Sequence, residues 1–433
     1  MQACSMRREA ARRTAAVVLA CVVLLALVAP AAARVYTLEE CVEIALIENT
    51  TLARAREDLH GARASVLSSW SGVLPHVSGG VSTHGTLDVT PDGDTESESA
   101  SGSISLSQTL LDGSTFATIA GASRSRTATE LSLEATRRQT VFDTKSAYYG
   151  LLRAARLRDV QDEAVELARE QLRKTQSLFD LGSASRSDLL KAQVQVGESE
   201  LALIAAEKSA EIARAALALT LGIDVTTDLE AVDPPEDQAE EEITDFDLEE
   251  SITSRPDIQA WEQTVVAARR SLLAAKAGRW PDLSASVSYS RGGEDVGDVF
   301  EDATDEYTRS VNLSLSVPIF NGLSTKANID KGKSQLRSYE VSLRNARLNA
   351  AYEIESARLS VEEGRRSVAV AEDAVLQAEE DLRVSEERFR LRAASMLELI
   401  DARVAYSRAR ADLVNARYDY ETAKAELKLA LGL

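Results

Sequence analysis

Phe179-Asp-Leu-Gly-Ser-Ala-Ser185, followed by Asp188-Leu-Leu190 and closed by Leu221-Gly222, occurs twice in this chain. Displaced by 210 residues, it returns as Phe389-Arg-Leu-Arg-Ala-Ala-Ser395, Glu398-Leu-Ile400 and Leu431-Gly432. Upstream, Ser105-Leu-Ser-Gln-Thr-Leu-Leu-Asp-Gly113 returns as Ser314-Leu-Ser-Val-Pro-Ile-Phe-Asn-Gly322, displaced by 209. Duplication on this scale makes each half a structural unit. The boundaries that follow are repeat 1 over 34–222, an acidic linker over 223–247 and repeat 2 over 248–433.

Proline placement tells what surrounds the repeated stretch. None of the 8 prolines falls between Asp92 and Asp233 or after Pro318. These tracts are rich in Ala, Leu, Glu and Arg and predict long helices. The longest run from about Gly113 to Leu178 and from about Asn321 to Arg390, each roughly 100 Å at the helical rise per residue. Shorter helices are predicted over 39–72, 187–221, 246–278 and 396–431, giving hairpins over 113–221 and 321–431. In each half the two shorter helices together match the long one, so they are expected to lie end to end beside it. The last helix carries Leu399, Ala402, Tyr406, Ala409, Leu413, Ala416, Tyr420, Ala423, Leu427 and Ala430 at unbroken 3-4 spacing. Its counterpart runs Leu189, Ala192, Val196, Ser199, Leu203, Ala206, Ala210, Ala213, Leu217 and Thr220. Such spacing makes a coiled-coil seam, and its alanines permit close helix approach.

Between the helices the period changes to two. Val77, Gly79, Val81 and Thr83 alternate with Ser78, Gly80 and Ser82; Ala100, Gly102, Ile104, Leu106 and Leu110 alternate with Ser101, Ser103, Ser105, Ser107 and Thr109. The second half repeats this, with Leu283, Ala285, Val287 and Tyr289 against Ser284, Ser286, Ser288 and Ser290. Val311, Leu313, Leu315, Val317 and Ile319 likewise alternate with Asn312, Ser314 and Ser316. Four strands follow, over about 74–89, 98–111, 281–291 and 306–320. They are of bilayer-crossing length, and a serine face suits a wet lumen. Acidic, Gly-containing turns are expected from Asp88 to Glu98 and Arg291 to Glu306. Candidates for an aromatic girdle are Trp70, Trp280, Tyr289, Tyr307 and Phe320. Four strands cannot close a barrel and lipid does not tolerate open edges, so protomers must combine.

The first 33 residues read as a secretory signal peptide. Arg7, Arg8, Arg12 and Arg13 precede an apolar run from Ala15 to Val28 and the small residues Ala31-Ala-Ala33. Cys21 lies inside that run, which continues past it, so the run reads as an export signal ahead of a lipidation box. Net charge is -20 for the whole chain. The leader holds four Arg against one Glu, so its removal leaves -23. A chain this acidic is a poor partner for nucleic acid or an anionic lipid surface. Only Cys41 of the 3 cysteines lies outside the leader, so there is no disulfide framework. No triad, metal-ligand cluster or phosphate loop is visible; Cys41, His60, His76 and His84 read as structural or lumen-facing, and no enzyme or cofactor is expected.

In this order and duplicated, these features resemble the TolC-type outer membrane efflux and secretion channels. The resemblance runs from Tyr36-Thr-Leu-Glu-Glu-Cys-Val-Glu-Ile-Ala-Leu46 to Leu431-Gly432. It rests on Ala-Ser ahead of Asp188-Leu-Leu and Glu398-Leu-Ile-Asp401, on Pro75 and Pro281 ahead of the strands, and on the strand ends Leu111-Asp-Gly113 and Phe320-Asn-Gly322. It implies a mainly α fold with transmembrane β structure. Long coiled-coil hairpins would form a periplasmic tunnel, and four strands per protomer would join a trimeric β-barrel in the cell outer membrane. The linker and chain ends would supply a mixed region around the tunnel, or the linker is a plain solvated connector. The implied partners are a homotrimer, a periplasmic adaptor, an inner-membrane pump of RND, ABC or MFS type, and outer-membrane lipid. The alternative is a periplasmic coiled-coil adaptor or scaffold that bridges membranes without conducting.

The resemblance also places a gate. Glu398 and Asp401 match acidic positions that ring the constricted tunnel end, and three copies would stack two rings of carboxylates. Arg392 stands where the first half has Gly182, the residue usual there, and is expected to offer a salt bridge to a neighbouring helix. The helix-turn tips, Leu181, Gly182, Ser183, Ala184 and Ser185 with Leu391, Ala393, Ala394 and Ser395, are expected to dock the adaptor.

Overall fold

A computed structural model describes residues 34–90, 93–234, 246–300 and 307–433. The predicted leader, 1–33, and linker residues 235–245 lie outside the described residues. In chain order the elements are β1 (Arg34–Tyr36), α1 (Leu38–Glu48), α2 (Thr50–Ser71), β2 (His76–Thr90), β3 (Gly93–Leu111), α3 (Gly113–Asp180) and α4 (Arg186–Leu221). There follow β4 (Leu229–Ala231), α5 (Leu248–Ser254), α6 (Pro256–Ala277), β5 (Asp282–Gly293), α7 (Val296–Phe300), β6 (Tyr307–Ser316), α8 (Ser324–Arg390) and α9 (Met396–Leu431). The two long helices of 68 and 67 residues bear out the reading from proline placement.

Four boundaries differ from expectation, each for a physical reason. The helix predicted over 39–72 breaks at Asn49, whose side-chain amide leaves its own helix and donates to Thr220 O at 2.7 Å. The helix predicted over 246–278 breaks at Arg255, because the proline at 256 disfavours helical backbone in the residue before it. β6 ends at Ser316 rather than 320, since Pro318 has no N–H to give a ladder. The turn expected over 88–98 is mostly strand: pairing continues to Thr90 opposite Gly93.

The chain folds as two compact units, and these are not the two repeats. One takes residues up to Thr50, Thr140–Glu242 and Ala357–Leu427; the other takes Thr51–Gln139, Ile243–Ser356 and Lys428–Leu433. Each contains corresponding pieces of both halves.

The first unit is helical, with β1 and β4 paired in parallel. Its core gathers Cys41, Ala45, Tyr148, Leu152, Leu217 and Leu221. Tyr148 is fully buried. Its hydroxyl lies 2.6 Å from Val232 O and 3.0 Å from Tyr36 O, and accepts from the Val232 N–H at 3.1 Å. One side chain on α3 thus holds both the N-terminal strand and the start of the linker. Burial pushes the Tyr148 phenol up to about 12 and the Cys41 thiol up to about 11, which leaves Cys41 an unreactive core residue. Next along the linker, Asp233 accepts from Arg156 on α3 (3.1 Å from Nε) and from the Tyr418 hydroxyl on α9 (2.5 Å). Both seams face inward: every seam residue on α4 and α9 is buried or half-buried.

The second unit holds the four-stranded antiparallel sheet, ordered β2-β3-β5-β6. The helices that leave it start alike. Asp112 caps α3 through Ser114 and Thr115, and Asn321, 209 residues on, bonds Thr325 ahead of α8. Burial works against the Asp112 charge, but these donors outweigh it and its pKa is lowered.

The duplication extends to how helix ends are capped, with different side chains. The carbonyl of Thr220 near the end of α4 receives Asn49; that of Ala430 near the end of α9 receives Arg255 at 3.2 Å. Arg255 also pairs with Asp257 and Glu353 at 2.8 Å each. Burial disfavours the Asp257 carboxylate, yet Arg255 holds its pKa below the ordinary range. Both helices stop at a glycine in the left-handed region, Gly222 at φ 79 and Gly432 at φ 73. A Cβ on Gly222 would collide with the Glu48 carbonyl.

Gly222→Ala is therefore expected to cost about 2 kcal/mol or more, strain plus collision. Gly197→Ala, on an exposed turn of α4 with open space around it, should gain up to about 1 kcal/mol. Denaturant unfolding in detergent, followed by circular dichroism, checks both signs. A second expectation concerns pH. Burial opposes the Asp233 charge, but Arg156 and Tyr418 lower its pKa; burial and Asp233 together raise that of Tyr418. The lowered acid contributes stability above about pH 4 that fades as pH falls through its folded value, and the raised phenol contributes stability below about pH 10 that fades as pH rises through its own. Asp233→Asn should flatten both limbs of a stability profile, and an unchanged profile would remove this network from the account.

Candidate functional site

Strand register turns the alternation of sequence into a two-faced wall. Ser78, Ser105, Ser288 and Ser310 stand in one row across all four strands. Within it Ser78 and Ser105 hydrogen-bond at 2.8 Å, and Ser288 and Ser310 at 2.7 Å. Two rows along on the same face, past Gly80 and Ser103, Ser82 bonds Ser101 at 2.9 Å. The intervening rows are apolar: Val77, Leu106, Val287 and Val311 form one of them. That face lies open, with Val311 79% and Val77 72% exposed. Phase is kept at the end of β3 by a bulge between Thr109 and Leu111. Leu111 meets Leu283 there, so Leu110, the residue sequence alternation put in the row, is the extra one.

The hairpin tips are built from one pattern executed twice. At the end of α3, Ser183 N donates to Leu178 O (2.7 Å) and Gly182 N to Phe179 O (2.8 Å). At the end of α8, Ala393 N donates to Arg388 O (2.7 Å) and Arg392 N to Phe389 O (3.0 Å). This closure needs a left-handed residue after the helix. Gly182 supplies it at φ 71, and Arg392 is forced into it at φ 59. The next helix is capped alike, by Ser185 with Asp188 (3.1 Å from Asp188 N to Oγ) and by Ser395 with Glu398 (3.2 Å). Leu181 and Leu391 project from the turns, 79% and 72% exposed.

The predicted gate residues have distinct surroundings. Glu398 belongs to the N-terminal cap of α9 and lies 3.7 Å from Arg388. Arg388 also donates to Ala393 O at 3.3 Å, bridging the turn. Asp401, one turn on, is exposed, and its carboxylate has no partner among the described residues. Arg392 makes no ion pair among the described residues, so it has no salt bridge to a helix of its own chain. Arg388 was missed by sequence reasoning; only its place one turn before the left-handed residue, facing Glu398, could have singled it out. Among the described residues no three His, Cys, Asp or Glu side chains cluster to hold a metal. No described helix is long and apolar enough to cross a membrane.

The outer membrane efflux protein model matches residues 41–223 and 248–433. The chain belongs to that family. The two matched blocks stop on either side of the linker, where the repeats divide. Protein CyaE of Bordetella pertussis is 28% identical over 206 residues, which span 47% of this chain and 43% of that relative. The chain thus spans less than half the length of the curated relatives it matches first. Among solved structures, CusC superposes with a TM-score of 0.82 at 19% identity, covering 91% of this chain and 92% of that one. The Campylobacter jejuni CmeC outer membrane channel gives 0.81 at 20%, covering 91% and 85%. At these identities the likeness shows the fold, which is that of TolC-type channels.

The tip geometry carries an expectation of its own. Arg392→Gly removes a side chain from left-handed backbone and should stabilise the α8–α9 turn by about 1 kcal/mol; Gly182→Arg should cost the α3–α4 turn as much. Amide exchange at Ala393 and Ser183 reads the two turns separately. Protection that falls at Ala393 in the Arg392→Gly protein would contradict the strain.

Proposed function

We propose that this family member is the outer membrane channel-tunnel of a tripartite efflux or type I secretion system. It conducts passively, receiving substrate from an inner-membrane pump through a periplasmic adaptor. The observation that carries this reading is the sheet. Its apolar face is exposed, its opposite face is a hydrogen-bonded serine surface, and β2 and β6 pair on one side only among the described residues. Such a sheet is stable in a bilayer only when its edges meet those of other copies. Three copies give twelve strands, an even number of the kind that closes a barrel.

The helices support the same ring. On α4, Leu190, Val194, Leu201, Ile212 and Leu219 are exposed on the side away from its seam; on α8, Val341, Leu348, Tyr352, Leu359 and Val370 are exposed too. Two unlike apolar stripes on one protomer make a head-to-tail interface, and head-to-tail contacts close into rings. In the trimer, Glu398 and Asp401 form the acidic rings of the periplasmic entrance, and Arg392 faces the neighbouring protomer. Because Glu398 is occupied by Ser395 and Arg388, Asp401 carries most of the field felt by a passing ion. The tips from Leu181 to Ser185 and Leu391 to Ser395 dock the adaptor. A non-conducting scaffold would have no use for the two-faced sheet.

Purified from outer membranes in detergent, the protein should run as a heat-sensitive trimer and open pores in planar bilayers; a water-soluble monomer would sink the reading. Asp401→Ala should weaken block by multivalent cations several-fold, more than Glu398→Ala does. Equal block in both variants and the parent would take these residues out of the entrance.

A further inference from the structure

At the end of the sheet nearest the β5–β6 connection, four side chains form a square on the apolar face. Tyr289 stands opposite Arg309, and Arg291 opposite Tyr307. The two rings stack across the diagonal, 5.8 Å between centroids at 25°. The Arg309 guanidinium lies 4.8 Å from the Tyr307 ring centre and 5.9 Å from that of Tyr289. Arg309 is exposed and has no carboxylate partner among the described residues. Away from the connection the same face continues as Val287 with Val311, Ala285 with Leu313 and Leu283 with Leu315.

Beside the square, α7 folds back onto the apolar face. Val299 is buried over Gly102, where any Cβ would strike it. A cleft of about 360 Å³ runs between α7 and the sheet, lined by Val81, Gly102, Ile104, Tyr289, Val299 and Phe300. Tyr289 and Arg291 belong to both features, so the largely apolar cleft opens beside the held cation.

An apolar slot with a fixed guanidinium at its mouth selects an amphipathic molecule with an anionic head. Arginine fits phosphate oxygens with two parallel donors, and a guanidinium lying on aromatic rings is already oriented for them. Tyrosines at the end of an apolar band sit where membrane meets water. We infer that α7 and the β5–β6 square bind one lipid of the surrounding membrane, its acyl chain in the cleft and its phosphate headgroup on Arg309. The inference rests on the barrel reading above, which puts this face against lipid at the rim away from the helices.

The test uses the full-length protein reconstituted in vesicles with spin-labelled phosphatidic acid or spin-labelled diacylglycerol. Parent protein should immobilise the phosphate-bearing probe in preference, by roughly tenfold, the scale of one charge-assisted hydrogen bond. Arg309→Gln should abolish the preference without changing the total immobilised lipid. Gly102→Ala, which dislodges Val299, should reduce retention of both probes. Millimolar inorganic phosphate should not displace the lipid; if it does, the site takes free anions and the lipid inference falls. It falls equally if Arg309→Gln keeps the preference or Gly102→Ala changes nothing. If the parent protein immobilises neither probe, the barrel reading itself has failed.

Discussion

Unpaired backbone at the two margins of one sheet is the constraint on which the remaining structure depends. β2 and β6 each present a row of N–H and C=O groups with no partner in the chain among the described residues, on a sheet whose face is apolar. In water such margins invite aggregation; in hydrocarbon each unsatisfied group costs several kcal/mol. Among the described residues nothing in the chain satisfies them, and the elements that feed the sheet hold its strands in register. Asp112 and Asn321 fix where the long helices leave the strands, and the bulge at Leu110 keeps the apolar face in phase as β3 ends.

The duplicated architecture uses equivalent positions and unequal chemistry. The helix-end carbonyls of Thr220 and Ala430 are met by a neutral amide in one half and a half-buried guanidinium in the other. The tips share one closure, with glycine at no cost in the first and arginine under strain in the second. A repeat that served only to build a wall would not need these differences. They fall at the ends of helices, where backbone groups remain to be satisfied and where small changes alter charge without disturbing the seams.

Much of this was legible in the sequence because it is periodic. The 3-4 seams of α4 and α9, the alternating serines and the glycine-terminated helices each announce themselves within a few turns, and proline placement sets the limits of α3 and α8. What was not legible depends on partners distant in sequence. Asn49 breaks a helix without any nearby proline or glycine, because its partner is Thr220. Arg388 looks like one of many surface arginines until the turn brings Glu398 to it. Tyr289, Tyr307, Arg291 and Arg309 become a square only once the register of β5 and β6 is known; in the sequence the tyrosines were girdle candidates with no link to the arginines. Asp401 and Glu398 looked equivalent, and only capping geometry separates them.

The serine rows have one more consequence, for whatever moves along them. Ser78 with Ser105, Ser82 with Ser101 and Ser288 with Ser310 each commit one hydroxyl proton to a cross-strand bond, leaving one donor per pair. A lining of free hydroxyls or amides would hold polar solutes by successive hydrogen bonds and slow them. Hydroxyls paired across strands offer a solute fewer free donors than unpaired ones, while remaining wettable. In the channel proposed above, such pairing would shorten the residence of a polar solute on the wall, and selection of cargo would fall to components upstream of it.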